Sequence, residues 1–206
     1  MLISRNIQKI NLLFSFSSSA PEQLSFGEQK QMQKFYSLPR YRNWMVGRSA
    51  LKNLLSALDL DSDTSKLKFP NNKFSLSHCS NLAVAAGLTS EQQSIRGLGI
   101  DIEFNRSVSD NHAKFFLSSE ERKMIQSDSD RLRLWTIKEA LFKSDPNNND
   151  TVLRDYKIEN PIRLRGKARN NMGRLFYYFC EKLSNNKKVK IKSDGWMSCA
   201  VSYTTA

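Results

Sequence analysis

"IRGLGIDIEF", residues 95–104, reads as a strand. Leu98, Ile100, Ile102 and Phe104 fall on alternate positions and mark it as well buried, while Asp101 and Glu103, two residues apart, project from one face. Two like charges side by side on a strand repel each other. A cationic group is therefore expected beside them.

"LRLWTIKEALFKS", residues 132–144, reads as one helix. Leu132, Leu134, Ile137, Leu141 and Phe142 suit a core, whereas Glu139 and Lys143 stand one turn apart on a single face. As an exposed ion pair they would contribute only about 0.3–0.5 kcal/mol. Combined with the strand acids they acquire a chemistry. Mg2+ takes hard oxygen ligands, is held by a few carboxylates, and completes its shell with water and substrate phosphates. Glu139 can supply the third carboxylate. Lys143 would then face the bound phosphate and neutralise charge as a bond to phosphorus breaks.

The rest of the sequence sets the frame. The chain has 206 residues, 39% hydrophobic and 10% aromatic, enough for one large domain or two small ones. Its 32 Lys and Arg against 20 Asp and Glu give a formal charge of +12, which favours acidic proteins, nucleic acids or phosphorylated small molecules as partners. Cys79, Cys180 and Cys199 are widely spaced, so neither a zinc site nor a disulfide framework is indicated and a reducing compartment is expected. The N-terminal stretch resembles a secretory signal, but Asn11 and Ser15 break its apolar run, and "KINLLFSFSS" is read as a buried first strand. No stretch approaches the roughly 20 apolar residues a membrane span needs. A soluble, cytoplasmic protein without a membrane partner is expected.

Helical periodicity is clearest over 22–36 and 41–60, separated by Pro39. "KFSLSHCSNLAVAAGLT" suggests a hairpin turning at Ser80 and Asn81. Ser118 with Glu121 forms a capping box for the next helix, and Asp128 or Ser129 is expected to cap the helix that carries Glu139. Asn147 to Asp150 form a loop, and the tail supplies three strands, within "YKIENPIRLRGKA", "RLFYYFCEKL" and "GWMSCAVSYT". Helices followed by strands occur twice, and "FSLSHCSNLAVAA" is loosely echoed by "GWMSCAVSY". The expected fold class is α+β, two similar α/β halves over 1–103 and 104–206 with the active site between them.

These residues resemble a family, the 4'-phosphopantetheinyl transferases. Its strand motif G-[IV]-D-x-E matches "GIDIE", and its helix motif W-x-x-K-E-[AS]-x-x-K matches "WTIKEALFK". "FSLSHC" is similar to its S-x-S-H-S segment, and "RYRNWMVGRSA" to its early helix. Length and the repeated layout resemble the monomeric Sfp-type subgroup, a pseudo-dimer of two α/β halves. The resemblance implies transfer of the phosphopantetheine arm of coenzyme A to a serine of an acidic apo acyl or peptidyl carrier protein, with release of adenosine 3',5'-bisphosphate. It assigns Mg2+ to Asp101, Glu103 and Glu139, and proton acceptance to Glu139 or a water on the metal. Coenzyme contacts fall to Arg42, Arg48, Ser77, His78, Lys138 and Lys143. Trp135 and Phe142 are read as core, and His112 as surface.

The chain departs from the family pattern at Cys79, where serine is common, and at Asn43, where an acidic residue is common. Arg163, Arg165, Lys167 and Arg169 alternate and suit either carrier docking or a solvated edge. Two other readings remain at this level. A Mg-dependent phosphodiesterase or nuclease would also use carboxylates with a lysine, though its lysine would more typically follow an acid on a strand. A non-catalytic basic nucleic-acid-binding module would explain the charge but leave Asp101 and Glu103 without a purpose. Nucleic acid is therefore not expected as a partner.

Overall fold

The computed structural model describes residues 1–35, 37–90, 92–104, 106–184 and 194–204. The N-terminal segment makes two strands where one was expected, β1 (Leu2–Ile7) and β2 (Ile10–Ser17). Gln8 and Lys9 join them with φ of 48° and 69°, the left-handed pair that a two-residue hairpin turn of type I′ requires. β2 provides the buried side, with Leu12, Phe14 and Phe16 in the core.

Helix α1 is shorter than its periodicity predicts, Phe26–Met32, because Ser25 and Glu28 form a capping box that fixes its start. Helix α2 (Leu38–Ala57) takes Pro39 into its first turn instead of ending before it. An amide hydrogen there has no intrahelical partner, so proline is tolerated. Strands β3 (Phe74–Cys79) and β4 (Leu82–Leu88) form the expected hairpin, with Ser80 at φ 55° in the turn. These strands make one antiparallel sheet, in the order β1-β2-β4-β3.

The second sheet begins with β5 (Ile95–Phe104). Short helices α3 (Asp110–Ala113) and α4 (Ser119–Lys123) lead into α5 (Asp128–Ser144), capped by Ser127 and not by the two residues after it. The first tail segment divides into β6 (Lys157–Ile158) and β7 (Arg165–Arg169), so Arg163 sits in a loop while Arg165, Lys167 and Arg169 share an exposed face of β7. β8 (Leu175–Leu183) and β9 (Gly195–Tyr203) complete the order β5-β9-β8-β7-β6. The sheets thus divide between Leu88 and Ile95, earlier than the expected 1–103 and 104–206 halves. The carboxylate strand opens the second unit.

Each half is a helix laid on an antiparallel sheet, giving the α+β class. α2 packs through Ala50, Leu51 and Leu54 on Phe74, Ala83 and Ala85. α5 packs through Leu134, Ile137 and Leu141 on Phe176, Tyr178 and Ala200. A shared core of Leu12, Phe14, Val84, Ile100, Phe179 and Val201 joins the sheets. The echoed segments lie in matching places, since β4 and β9 each stand one strand in from the edges, β3 and β5, that face each other. Among the described residues no helix is long and apolar enough to cross a membrane.

Two glycines let α5 approach the carboxylate strand. A Cβ at Gly97 would collide with the Ser144 carbonyl oxygen, and one at Gly99 with that of Ala140. Gly99→Ala is expected to push α5 off β5 and destabilise the protein by about 1–3 kcal/mol. The midpoint of a urea unfolding transition measures this directly, and an unchanged midpoint would mean the helix can shift without loss.

Candidate functional site

A cavity of about 580 Å³ lies along the junction of the two sheets. β3 contributes Ser75, Leu76, Ser77 and His78 to its wall, β5 contributes Leu98, Asp101 and Glu103, and α5 contributes Trp135, Glu139 and Lys143, with Phe69, Pro70 and Asn148 completing it. Residues separated in sequence meet here because both sheets turn an edge strand towards the junction. The helical spacing of Glu139 and Lys143 then directs both onto the β5 acids.

The acids differ in their partners. Lys143 Nζ donates to Asp101 Oδ1 at 2.8 Å and to the Ile100 carbonyl oxygen at 3.3 Å. Ser77 donates to the same Asp101 oxygen at 2.8 Å, while Asp101 Oδ2 is buried without a hydrogen-bond partner. Glu103 is half-buried, held by Arg106 at 3.5 Å and by the Cys79 thiol at 3.4 Å. Burial pushes the Glu139 carboxyl above its usual range against the pull of Lys143, and Asp101 and Glu103 push it further. Burial, then the Asp101 charge, raise Glu103 as well. Partial desolvation, then Lys143, hold His78 below the usual histidine range, so it stays neutral at pH 7.

These residues suit a divalent cation. Three carboxylates face one lysine, and burial and mutual repulsion oppose their charge. A buried carboxylate oxygen has no partner, and the donors are hard oxygens of the kind Mg2+ takes. Among the described residues no three His, Cys, Asp or Glu side chains are already gathered as ligands; Lys143 holds Asp101 in their place.

The structure brings Asp101, Glu103, Glu139, Lys143, Ser77 and His78 together and leaves two expected residues outside. Lys138 is fully buried on another side of α5, where its ammonium group donates to both Glu121 oxygens, at 2.8 and 2.9 Å, and to the Tyr156 carbonyl. This corrects its expected contact with coenzyme phosphates, because its charge is neutralised inside the fold. Arg42 is exposed and lines neither the cavity nor the recess beside it.

That recess, about 210 Å³, shares Leu76 and His78 with the cavity and is walled by Phe35, Arg40, Asn43, Trp44 and Arg48. Arg48 stacks over Trp44 at 5.1 Å and donates to Thr64. Arg40 and Asn43 line this recess and Arg42 does not, a difference of helix phase. Trp135, expected in the core, reaches the cavity wall between Arg106 and Phe116. Phe142 packs beside Tyr156 and His112 is exposed, as expected. Arg106, Asn148, Ser75 and the Cys79 contact with Glu103 were missed; only the S-x-S spacing of Ser75 and Ser77 offered a signal.

Residues 97–190 match the sequence model of the 4'-phosphopantetheinyl transferase superfamily. The matched stretch holds Asp101, Glu103, Glu139 and Lys143, while β3 and α2 lie before it. No curated protein matches the chain.

Breaking a buried ion pair from one side strands a charge and costs about 3–5 kcal/mol. Lys138→Ala and Glu121→Ala are each expected to lose about that much in denaturant unfolding. A joint Lys138→Met, Glu121→Leu replacement should recover most of it. If Lys138→Ala keeps wild-type stability but weakens coenzyme A binding, Lys138 belongs to the cavity after all.

Proposed function

We propose that the protein transfers the 4'-phosphopantetheine arm of coenzyme A to a serine hydroxyl of an acidic apo acyl or peptidyl carrier protein, dependent on Mg2+ and releasing adenosine 3',5'-bisphosphate. The observation that carries this reading is the convergence of Asp101, Glu103, Glu139 and Lys143 on one cavity between two half-folds, within the stretch that matches the superfamily. The two-half layout supports the Sfp-type subgroup acting as a monomer, and the free cysteines Cys79, Cys180 and Cys199 suit a reducing compartment such as the cytoplasm.

Asp101, Glu103 and Glu139 would hold Mg2+, which when bound offsets the negative charge of the coenzyme's pyrophosphate. Lys143 exchanges its contact with Asp101 for a phosphate oxygen, so one ammonium group serves both states of the site. The carrier serine oxygen attacks the phosphorus on the pantetheine side, and the bond to the oxygen bridging to the adenosine phosphate breaks. The leaving group keeps that bridging oxygen, and Lys143 lies where it can neutralise the charge. Glu139 lies where it would accept the serine proton.

The recess suits the nucleotide end of coenzyme A. Arg48 and the exposed Arg40 flank it, Trp44 and Phe35 offer aromatic surface, and the neutral His78 can donate a hydrogen bond at its border with the main cavity. On the outside, the +12 charge and the exposed face of Arg165, Lys167 and Arg169 favour encounter with an acidic carrier.

The test is the intact mass of an apo carrier protein incubated with this protein, coenzyme A and Mg2+. A gain of one phosphopantetheine is expected, lost on adding a chelator and slowed by at least about 10²-fold in Glu139→Ala and in Lys143→Ala. Unchanged mass across acyl and peptidyl carriers, in the presence of demonstrated coenzyme A binding, would contradict the proposal.

A further inference from the structure

Three successive same-face residues of β3 reach across to β5. Ser75 Oγ accepts the Ile100 amide hydrogen at 3.0 Å. Ser77 Oγ accepts that of Ile102 at 3.4 Å and donates to Asp101 Oδ1 at 2.8 Å. Cys79 Sγ donates to Glu103 Oε2 at 3.4 Å. β5 is an edge strand whose outward amide hydrogens need partners. Leu98 finds one in the Asn71 carbonyl oxygen at 3.2 Å; the next two amides are met by serine side chains.

The second and third contacts act on carboxylates. Ser77 has one hydroxyl proton, and Asp101 takes it, so this hydroxyl has no proton left for a coenzyme phosphate. Glu103 is held at both oxygens, Oε1 by Arg106 and Oε2 by Cys79. Arg106 is exposed and Cys79 is half-buried, so the thiol is the better-anchored partner. Without it Oε2 is free to turn towards Arg106.

We propose that Ser75, Ser77 and Cys79 form a side-chain ladder joining the two sheets, and that its second and third rungs are positioning residues, Ser77 setting Asp101 and Cys79 setting Glu103. The proposal rests on the reading of those carboxylates as metal ligands. Partners that orient ligands typically change metal affinity by about 10–100-fold when removed. Ser75 touches no carboxylate and aligns the strand edges alone.

The experiment titrates Mn2+ into the full-length protein and reads free Mn2+ by electron paramagnetic resonance, with the melting temperature of each variant recorded. Cys79→Ala is expected to weaken Mn2+ binding about tenfold. Cys79→Ser, which keeps a donor, should stay within about twofold of wild type on the same scale. Ser75→Ala should lower the melting temperature and leave Mn2+ affinity within that range. In the transfer reaction, Cys79→Ala should raise the Mg2+ concentration needed for half-maximal rate while the KM for coenzyme A holds. Mn2+ affinity unchanged in Cys79→Ala, or equally reduced in Ser75→Ala, would overturn the proposal. Wild-type protein that takes up no Mn2+ would overturn it together with the metal reading, whether or not the phosphopantetheine arm is transferred.

Discussion

The outward amide hydrogens of β5 are the constraint on which the site depends. An edge strand must satisfy them, and here the neighbour across the junction is another edge, β3, which answers with hydroxyls at Ser75 and Ser77, while Asn71, just before β3, supplies a carbonyl. Side chains in place of a backbone ladder keep the two edges apart, and the cavity lies along that separation. On the outer side of the second sheet, Gly97 and Gly99 allow α5 to lie directly on β5. Backbone contact of this kind places Glu139 and Lys143 within reach of Asp101 and Glu103.

The electrostatics follow from that proximity. Three carboxylates share a partly buried site with Lys143, and the pull of one ammonium group does not offset burial and mutual repulsion at Glu139. Such an arrangement is weak in stability and strong in function, because a cation or a proton relieves it. Lys138 and Glu121 show the opposite case one residue away along the helix. There the pair is closed on itself, with Glu121 also accepting the Ser118 and Ile158 amide hydrogens, and nothing remains to bind a ligand.

The sequence is legible where the chemistry is local. The β5 alternation, the turn at Ser80, the Ser118–Glu121 capping box and the shared face of Glu139 and Lys143 depend on neighbours within a few residues. Features set by distant partners were not legible. The sheet to which β5 belongs is decided by β9, from the far end of the chain. Lys138 looks like a ligand in the sequence because its buried partner Glu121 already has a visible task as a cap. The β1–β2 turn was missed because Gln8 and Lys9 rarely adopt positive φ, and the Ser127 cap because helix boundaries shift by a residue or two.

On the proposed function, one cavity at the sheet junction binds both the cation and coenzyme A. The most direct measurement is anomalous diffraction from a crystal of the protein grown with Mn2+ and coenzyme A. One metal peak is expected, bounded by Asp101, Glu103 and Glu139, with the pyrophosphate against it, Lys143 turned from Asp101 to a phosphate oxygen, and the nucleotide end in the recess of Arg48 and Trp44. A metal peak remote from these carboxylates, or coenzyme A bound away from the junction, would contradict it.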